Sequence, residues 1–222
     1  LRVLKPTGNL FMMNYPKQNA HMRVKFLDDN AYDVQDYVWI YNTNIGHSPR
    51  RFTTAHRSIL HATKSKDNKF YKDNVAVPYQ NPTDKRIQGR IAAGHLGRMP
   101  YSWFYFDLVK NVSKDKTFHS CQIPLKLVEM LIKSCTQEGD DVFILFGGSG
   151  SELFTCKDLK RNYISCELHP DYYKMIIDRL ENNGKIKDEF RLDFIQQKNG
   201  QTLPIELNLF SGQYEAQRNN KG

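Results

Sequence analysis

Residues 140–180 constrain the fold of this chain more than any other stretch. They read Asp-Asp-Val-Phe-Ile-Leu-Phe, then Gly-Gly-Ser-Gly-Ser-Glu, then a helix-like segment, then Tyr-Ile-Ser-Cys-Glu. A short, bounded apolar run (142–146) suits a buried strand. Glycines follow, then a helical pattern, then a second strand (163–167) that ends on Glu167. This is a β–α–β unit, and its right-handed crossover sets two parallel strands side by side or nearly so. The fold class that follows is α/β, with one mixed, mostly parallel sheet and helices on both faces.

The same residues carry a ligand chemistry. Glycines let backbone approach a bound molecule, and an acid at the tip of the second strand can accept from ribose hydroxyls. Glu167 lies at the spacing that role requires, about 20 residues beyond the loop. A dinucleotide fingerprint starting at Gly148 and Gly150 would need a third small residue where Leu153 stands. No Gly-Lys-Ser/Thr follows the loop, which excludes a phosphate loop of the ATPase kind. A short, lysine-free loop beside a ribose-binding acid suits an adenosyl ligand without phosphates, and S-adenosylmethionine is the obvious candidate. A glycine turn can also join strand to helix with no ligand at all.

The flanking residues carry a family resemblance. Lys116-Thr117-Phe118-His119-Ser120-Cys121-Gln122-Ile123-Pro124 precedes an apolar helix, and Phe146-Gly147-Gly148-Ser149-Gly150-Ser151 follows it. This resembles the amino-methylating DNA methyltransferases, which methylate the exocyclic nitrogen of adenine (N6) or cytosine (N4). Their His-Pro-Thr-Gln-Lys-Pro-like segment is matched at His119, Gln122 and Pro124, with Ser120, Cys121 and Ile123 replacing Pro, Thr and Lys. Their Asp-Pro-Phe-x-Gly-Ser-Gly-Thr strand is matched at Phe146, Gly148, Ser149 and Gly150. Ile144 and Leu145 replace its Asp-Pro and Ser151 its Thr. Residues 1–13 resemble the family's segment just after its catalytic motif, and residues 39–42 and 50–60 resemble later strands of the catalytic half. The order, catalytic half first, resembles the permuted group called beta, and the resemblance covers roughly residues 1–180.

What the resemblance implies is specific. The fold would be Rossmann-like and S-adenosylmethionine-dependent. His119, Gln122, Phe146, Gly147, Gly148, Ser149, Gly150, Ser151 and Glu167 would hold the cofactor. The target base would be flipped into a pocket, at a cost of a few kcal/mol, with Tyr15, Trp39, Tyr41 or Phe104 as stacking candidates among residues that mostly suit a core. Adenine N6 is favoured over cytosine N4. The family's catalytic Asp/Ser/Asn-Pro-Pro-Tyr/Trp is missing, because no Pro-Pro occurs in the chain. By family order it is expected upstream of Leu1. The chain is therefore expected to be N-terminally incomplete, for example a proteolytic product or one piece of a split enzyme, with a catalytically dead paralogue as the other reading; a non-catalytic DNA- or cofactor-binding subunit of a methyltransferase complex is the alternative function.

Composition agrees. The 222 residues carry 40% hydrophobic residues and a net charge of +8, enough for a core and consistent with a polyanionic partner. Double-stranded DNA is the expected partner, together with a homodimer mate or a second methyltransferase subunit. Cys121, Cys135, Cys156 and Cys166 show no paired metal spacing and read as reduced, mostly buried thiols; no metal is expected. No apolar run has transmembrane length. The expected location is cytoplasmic (bacterial or phage-type), or nuclear if eukaryotic, and not secreted.

Four regions of one methyltransferase domain are expected. Residues 1–63 hold catalytic-half strands (9–15, 34–41, 58–63) and a helix (16–29) with Ala20, Val24 and Leu27 as its apolar stripe. Residues 64–115, with Pro78, Pro82, Pro100 and three glycines between Gly89 and Gly97, read as loops and short strands and occupy the family's target-recognition position. Arg50, Arg51, Lys85, Arg86, Arg90 and Arg98 are the candidate DNA contacts, although a single arginine is more often an ordinary surface charge. Residues 116–185 form the cofactor half, with helices 124–135, 151–159 and 170–180. Residues 186–222 form an extension, with an edge hairpin (190–195 and 203–210) and a disordered end (213–222).

Overall fold

The computed structural model describes residues 1–42, 50, 52–111 and 113–198. Among the described residues six strands and six α-helices follow in the order β1 (Asn9–Asn14), α1 (Pro16–Met22), β2 (Asp33–Ile40), β3 (His56–Thr63), α2 (Lys85–Ala92), β4 (Trp103–Tyr105), α3 (Leu125–Cys135), β5 (Asp141–Ile144), α4 (Ser151–Asp158), β6 (Asn162–Ser165), α5 (Pro170–Glu181) and α6 (Leu192–Lys198).

The α/β class holds, but the strand pairings are distributed differently from a single mostly parallel sheet. A four-stranded sheet has the order β1-β3-β2-β4, and β5-β6 form a second sheet. β3 is antiparallel to both β1 and β2, β2 is parallel to β4, and β5 is parallel to β6. The expected crossover is present: β5 and β6 pair from Asp141↔Asn162 to Ile144↔Ser165, with α4 between them. Among the described residues β1 and β5 each pair on one edge only, which is why the ladder divides in two.

β3 shows how sequence sets the layers. Its side chains alternate faces. Ile59 joins Trp39, Tyr41 and Leu127 on one face, and Leu60 and Ala62 join Leu27 on the other. Helix α3 therefore covers one face and the α1 segment the opposite one. α3 also links the sheets, because Leu127 packs against the first while Val128 and Ile132 pack with Ile144, Leu153, Cys156 and Ile176 around the second. On β5-β6 the helices cover one face; Phe143 and Ile164, paired across the ladder on the other face, are exposed.

Several local expectations are corrected. The stripe Ala20, Val24, Leu27 is not the buried one: Ala20 and Val24 are exposed, while Asn19 and Leu27 are buried. Asn19 Nδ2 donates to Met12 O and Ser58 O at 3.2 and 2.9 Å, pulling a polar residue inward. The helix then continues as a π turn, Arg23–Leu27, in which Asp28 N donates to Arg23 O. That wider turn shifts the facing register. β1 is half-buried, not buried. The 64–115 region holds a helix, α2, that its glycines had argued against; Asp84 caps it by accepting from Arg86 N at 2.8 Å. Within 190–195 the chain is helical from Leu192 instead of forming a hairpin strand, with Arg191 bridging to Thr117, since buried Leu192 anchors α6 and Arg191 closes on Asp193; residues 203–210 and 213–222 lie outside the described residues. Of the four thiols only Cys156 is buried, with Cys121 and Cys166 exposed. No described helix is long and apolar enough to cross a membrane.

Candidate cofactor site

The site forms where β5 and β6 end. Gly147 N donates to Cys166 O at 2.8 Å, extending the parallel ladder by one bond. The chain then turns sharply, with Gly150 N donating to Gly147 O at 2.8 Å and positive φ at Gly148 (54°) and Gly150 (73°). Both left-handed positions favour glycine. Space matters too, because a Cβ on Gly147 would meet Ile176 Cδ1 at 2.8 Å and one on Gly148 would meet the His119 ring at 3.3 Å. α4 starts directly after the turn, with Gly150 at its N-cap.

Glu167 ties the two strand tips together. Its Oε2 accepts from Gly148 N at 2.7 Å and its Oε1 from His169 N at 2.8 Å. Burial pushes its pKa up, but the N–H groups of His169, Gly148 and Leu168 outweigh this and hold it below the usual value. The carboxylate is thus ionised and fixed, and each oxygen keeps a lone pair for a ligand hydroxyl.

His119 lies against this turn. Its ring meets Tyr172 edge-on at 4.6 Å, and its Nδ1 accepts from Cys121 N at 3.2 Å. Burial, then the neighbouring Lys116 ammonium, push its pKa down to about 4 against the pull of Glu167. The ring is neutral near pH 7. Gln122 plays a different part: it is buried, its Oε1 accepts from Thr117 N and Oγ1 at 2.8 and 3.0 Å, and its Nε2 donates to Asp115 O at 2.7 Å. It braces the 115–122 loop. Ser149 and Ser151 are buried beneath the turn, 3.1 Å apart at their hydroxyls, and Ser151 Oγ donates to Ile123 O at 3.0 Å. Phe146, by contrast, is 84% exposed.

Three residues that sequence reasoning missed belong here. Lys116 is buried and donates to His119 O at 2.6 Å; burial brings its pKa down to about 8. Arg179 lies under the turn and donates to Ser149 O at 2.7 Å. Leu168, 98% exposed, follows Glu167 at the rim. Adjacency to Glu167 could have flagged Leu168; nothing local distinguishes the two cations from surface charges. A cleft of ≈ 440 Å³ shares Gln122 and Arg179 with this site and is lined also by Phe106, Asp107 and Pro124. Glycine backbone, Glu167 and His119 converge at the strand tips instead.

The basic candidates do not converge as the cofactor candidates do. Lys85, Arg86 and Arg90 are exposed on α2, which buries no residue. Arg86 folds back on Asp84 at 3.2 Å. Arg98 stacks over Tyr101 at 4.2 Å and donates to Met99 O. Arg50 is exposed in a turn; Arg51 lies outside the described residues. Of the stacking candidates, Trp39 and Tyr41 are core and Phe104 packs against them, while Tyr15 is 45% exposed with Arg57 over its ring at 3.7 Å.

Residues 1–178 match the DNA methylase family model N6_N4_Mtase, and the chain belongs to that family. It is 25% identical to the type II methyltransferase M.BglII of Bacillus subtilis, over 100% of this chain and 64% of that one. It is 30% identical to M.HpaI of Haemophilus parainfluenzae, over 82% and 56% respectively. The chain thus spans roughly three-fifths of these relatives. Among solved structures, the M1.HpyAVI–SAM complex superimposes with a TM-score of 0.60 at 24% identity, covering 79% of this chain and 76% of that one. The cytosine-N4-specific PvuII DNA methyltransferase gives 0.58 at 16%, covering 89% and 72%. These likenesses show a shared fold.

Proposed function

We propose that this chain is the cofactor-binding and DNA-facing part of an S-adenosylmethionine-dependent DNA methyltransferase that acts on the exocyclic amino group of a flipped base, with adenine N6 favoured. The observation that carries the reading is the link from Gly148 N–H to the Glu167 carboxylate at 2.7 Å, beneath the His119 ring. That link fixes a ribose-type acceptor beside backbone that only glycines leave open. The residues fit the group: Glu167 would accept from ribose hydroxyls, the 147–150 backbone would face the amino-acid end, and neutral His119 would wall the site without repelling a sulfonium.

When bound, the cofactor supplies an electrophilic methyl group. This chain's part is to bind and orient it, and none of the described residues is assigned to accept the amino protons. Residues 1–63 would serve as catalytic-half scaffold, 64–115 as the target-recognition insert, 116–185 as the cofactor half and 186–222 as an extension, with double-stranded DNA as substrate. Calorimetry with S-adenosylhomocysteine tests the reading. Binding by the wild type that falls in Glu167→Ala supports it, and a wild type with no affinity removes it. Analysis of methylated nucleosides from the full-length protein decides between N6-methyladenine and N4-methylcytosine.

A further inference from the structure

We propose that Arg179, near the C-terminal end of α5, is a positioning residue that sets the glycine turn and thereby the affinity for the amino-acid end of the methyl donor. The inference rests on the cofactor reading above. Arg179 is 2% exposed. Its Nη1 donates to Ser149 O at 2.7 Å and to Ser151 Oγ at 3.4 Å. Its guanidinium lies 5.7 Å from the Phe154 ring centroid, and its Nε has no hydrogen-bond partner among the described residues. Glu152 and Asp115 act on it only through space. Taking a guanidinium out of water is costly unless strong acceptors replace the solvent. Here those acceptors are a carbonyl and a hydroxyl of one turn, so the interaction is concentrated on that turn.

The geometry shows what this controls. Ser149 sits between two left-handed glycines, which impose little of their own on the backbone. Glu167 holds the turn from one side through Gly148 N–H, and Arg179 holds it from below through Ser149 C=O. With that carbonyl drawn inward, the negative end of the peptide dipole is kept away from the ligand side. Released, it could rotate outward and oppose a carboxylate there. Loss of Arg179 should therefore weaken ligands that carry the amino-acid end and spare those that lack it.

The test compares Arg179→Met and Arg179→Lys with wild type. Calorimetry uses S-adenosylhomocysteine and 5′-methylthioadenosine, which lacks the amino-acid end. Hydrogen exchange reads the Gly148–Ser151 amides, with β3 amides as the control for global stability. In Arg179→Met the affinity ratio of the two ligands should fall about tenfold to a hundredfold, the equilibrium equivalent of a charge-assisted hydrogen bond. Exchange at the turn should rise by a similar factor while β3 is unchanged. Arg179→Lys keeps the charge on a shorter side chain whose mobile ammonium is held less firmly than the planar guanidinium, and should lie between. Equal loss of both ligands, or an unchanged ratio with unchanged exchange, overturns the proposal. If the Met variant does not fold, a wild-type ratio in the Lys variant overturns it. A wild type that binds neither ligand removes the cofactor reading, while the exchange arm still decides whether Arg179 holds the turn.

Discussion

The glycine turn at residues 147–150 and helix α2 are built on opposite principles. The turn is short, but its polar groups are committed inward: Gly148 N to Glu167, Ser149 O to Arg179, Ser151 Oγ to Ile123 O. Its glycines have neighbours that a side chain would strike. Helix α2 is longer yet buries nothing, and a Cβ on its Gly89 would meet nothing within 4 Å. One region is fixed by contacts at long sequence separation; the other stands on a local cap and on solvated charge. A site that must preorganise for a small ligand needs the first kind. A surface that meets a polyanion can use the second, because phosphate contacts depend on charge more than on a unique geometry.

The comparison can be broken by making equivalent changes on a packed helix and on α2. Leu127→Ala, at the fully buried residue of α3 that packs against the first sheet, should cost about 2–5 kcal/mol. Ile91→Ala on α2, where Ile91 is 46% exposed, should stay within about 0.5 kcal/mol. Urea denaturation of both variants checks the pair, and similar losses would mean that α2 is packed against something.

The glycines offer a second pairing. Gly148→Val places a β-branched residue at φ 54° against His119, adding strain of about 1–3 kcal/mol and abolishing S-adenosylhomocysteine binding. Gly89→Ala should instead stabilise, by at most about 1 kcal/mol. Thermal unfolding together with calorimetry separates the two outcomes. Glu167→Ala should weaken S-adenosylhomocysteine binding by about 1–3 kcal/mol through lost hydrogen bonds, and unchanged affinity would remove Glu167 from the site.

On α2, replacing Arg86 and Arg90 together by Ala should lower the salt dependence of duplex-DNA binding by roughly 0.9 log unit for each phosphate no longer neutralised. Filter binding over a salt series measures it, and an unchanged slope would make them ordinary surface charges. The smallest effect concerns acid. His119 has a folded pKa of about 4, below the ordinary 6.5, so the unfolded chain binds the extra proton between these values. Its contribution is full above about pH 6.5 and fades as pH falls towards 4. Wild type should therefore lose more stability than His119→Gln between pH 7 and 5 in urea titrations; parallel losses would show that the ring is not protected.

What could be read from the chain's order follows from local chemistry. The apolar run at 142–146, the glycines and the acid at Glu167 specified a parallel β–α–β unit, because strand length, turn chemistry and spacing are properties of adjacent residues, although the paired strands end at Ile144 and Ser165 and only Ile144 of β5 is buried. The ends of α3 and α5 were equally visible, with Pro124 at one N-cap and Pro170 in the first turn of the other. What that order left undetermined depends on partners far away in sequence. Asn19 is drawn inward by Ser58, 39 residues on, which displaced the expected stripe of α1. Leu192 turned a strand-like segment into a helix by packing inward. Lys116 and Arg179 look like surface cations until folding encloses them. Gln122, expected to line the site, is buried and braces its own loop. Period and turn chemistry are written into neighbouring residues; the burial of a polar group is settled only when acceptors from distant segments arrive around it, and that happens in the tertiary structure.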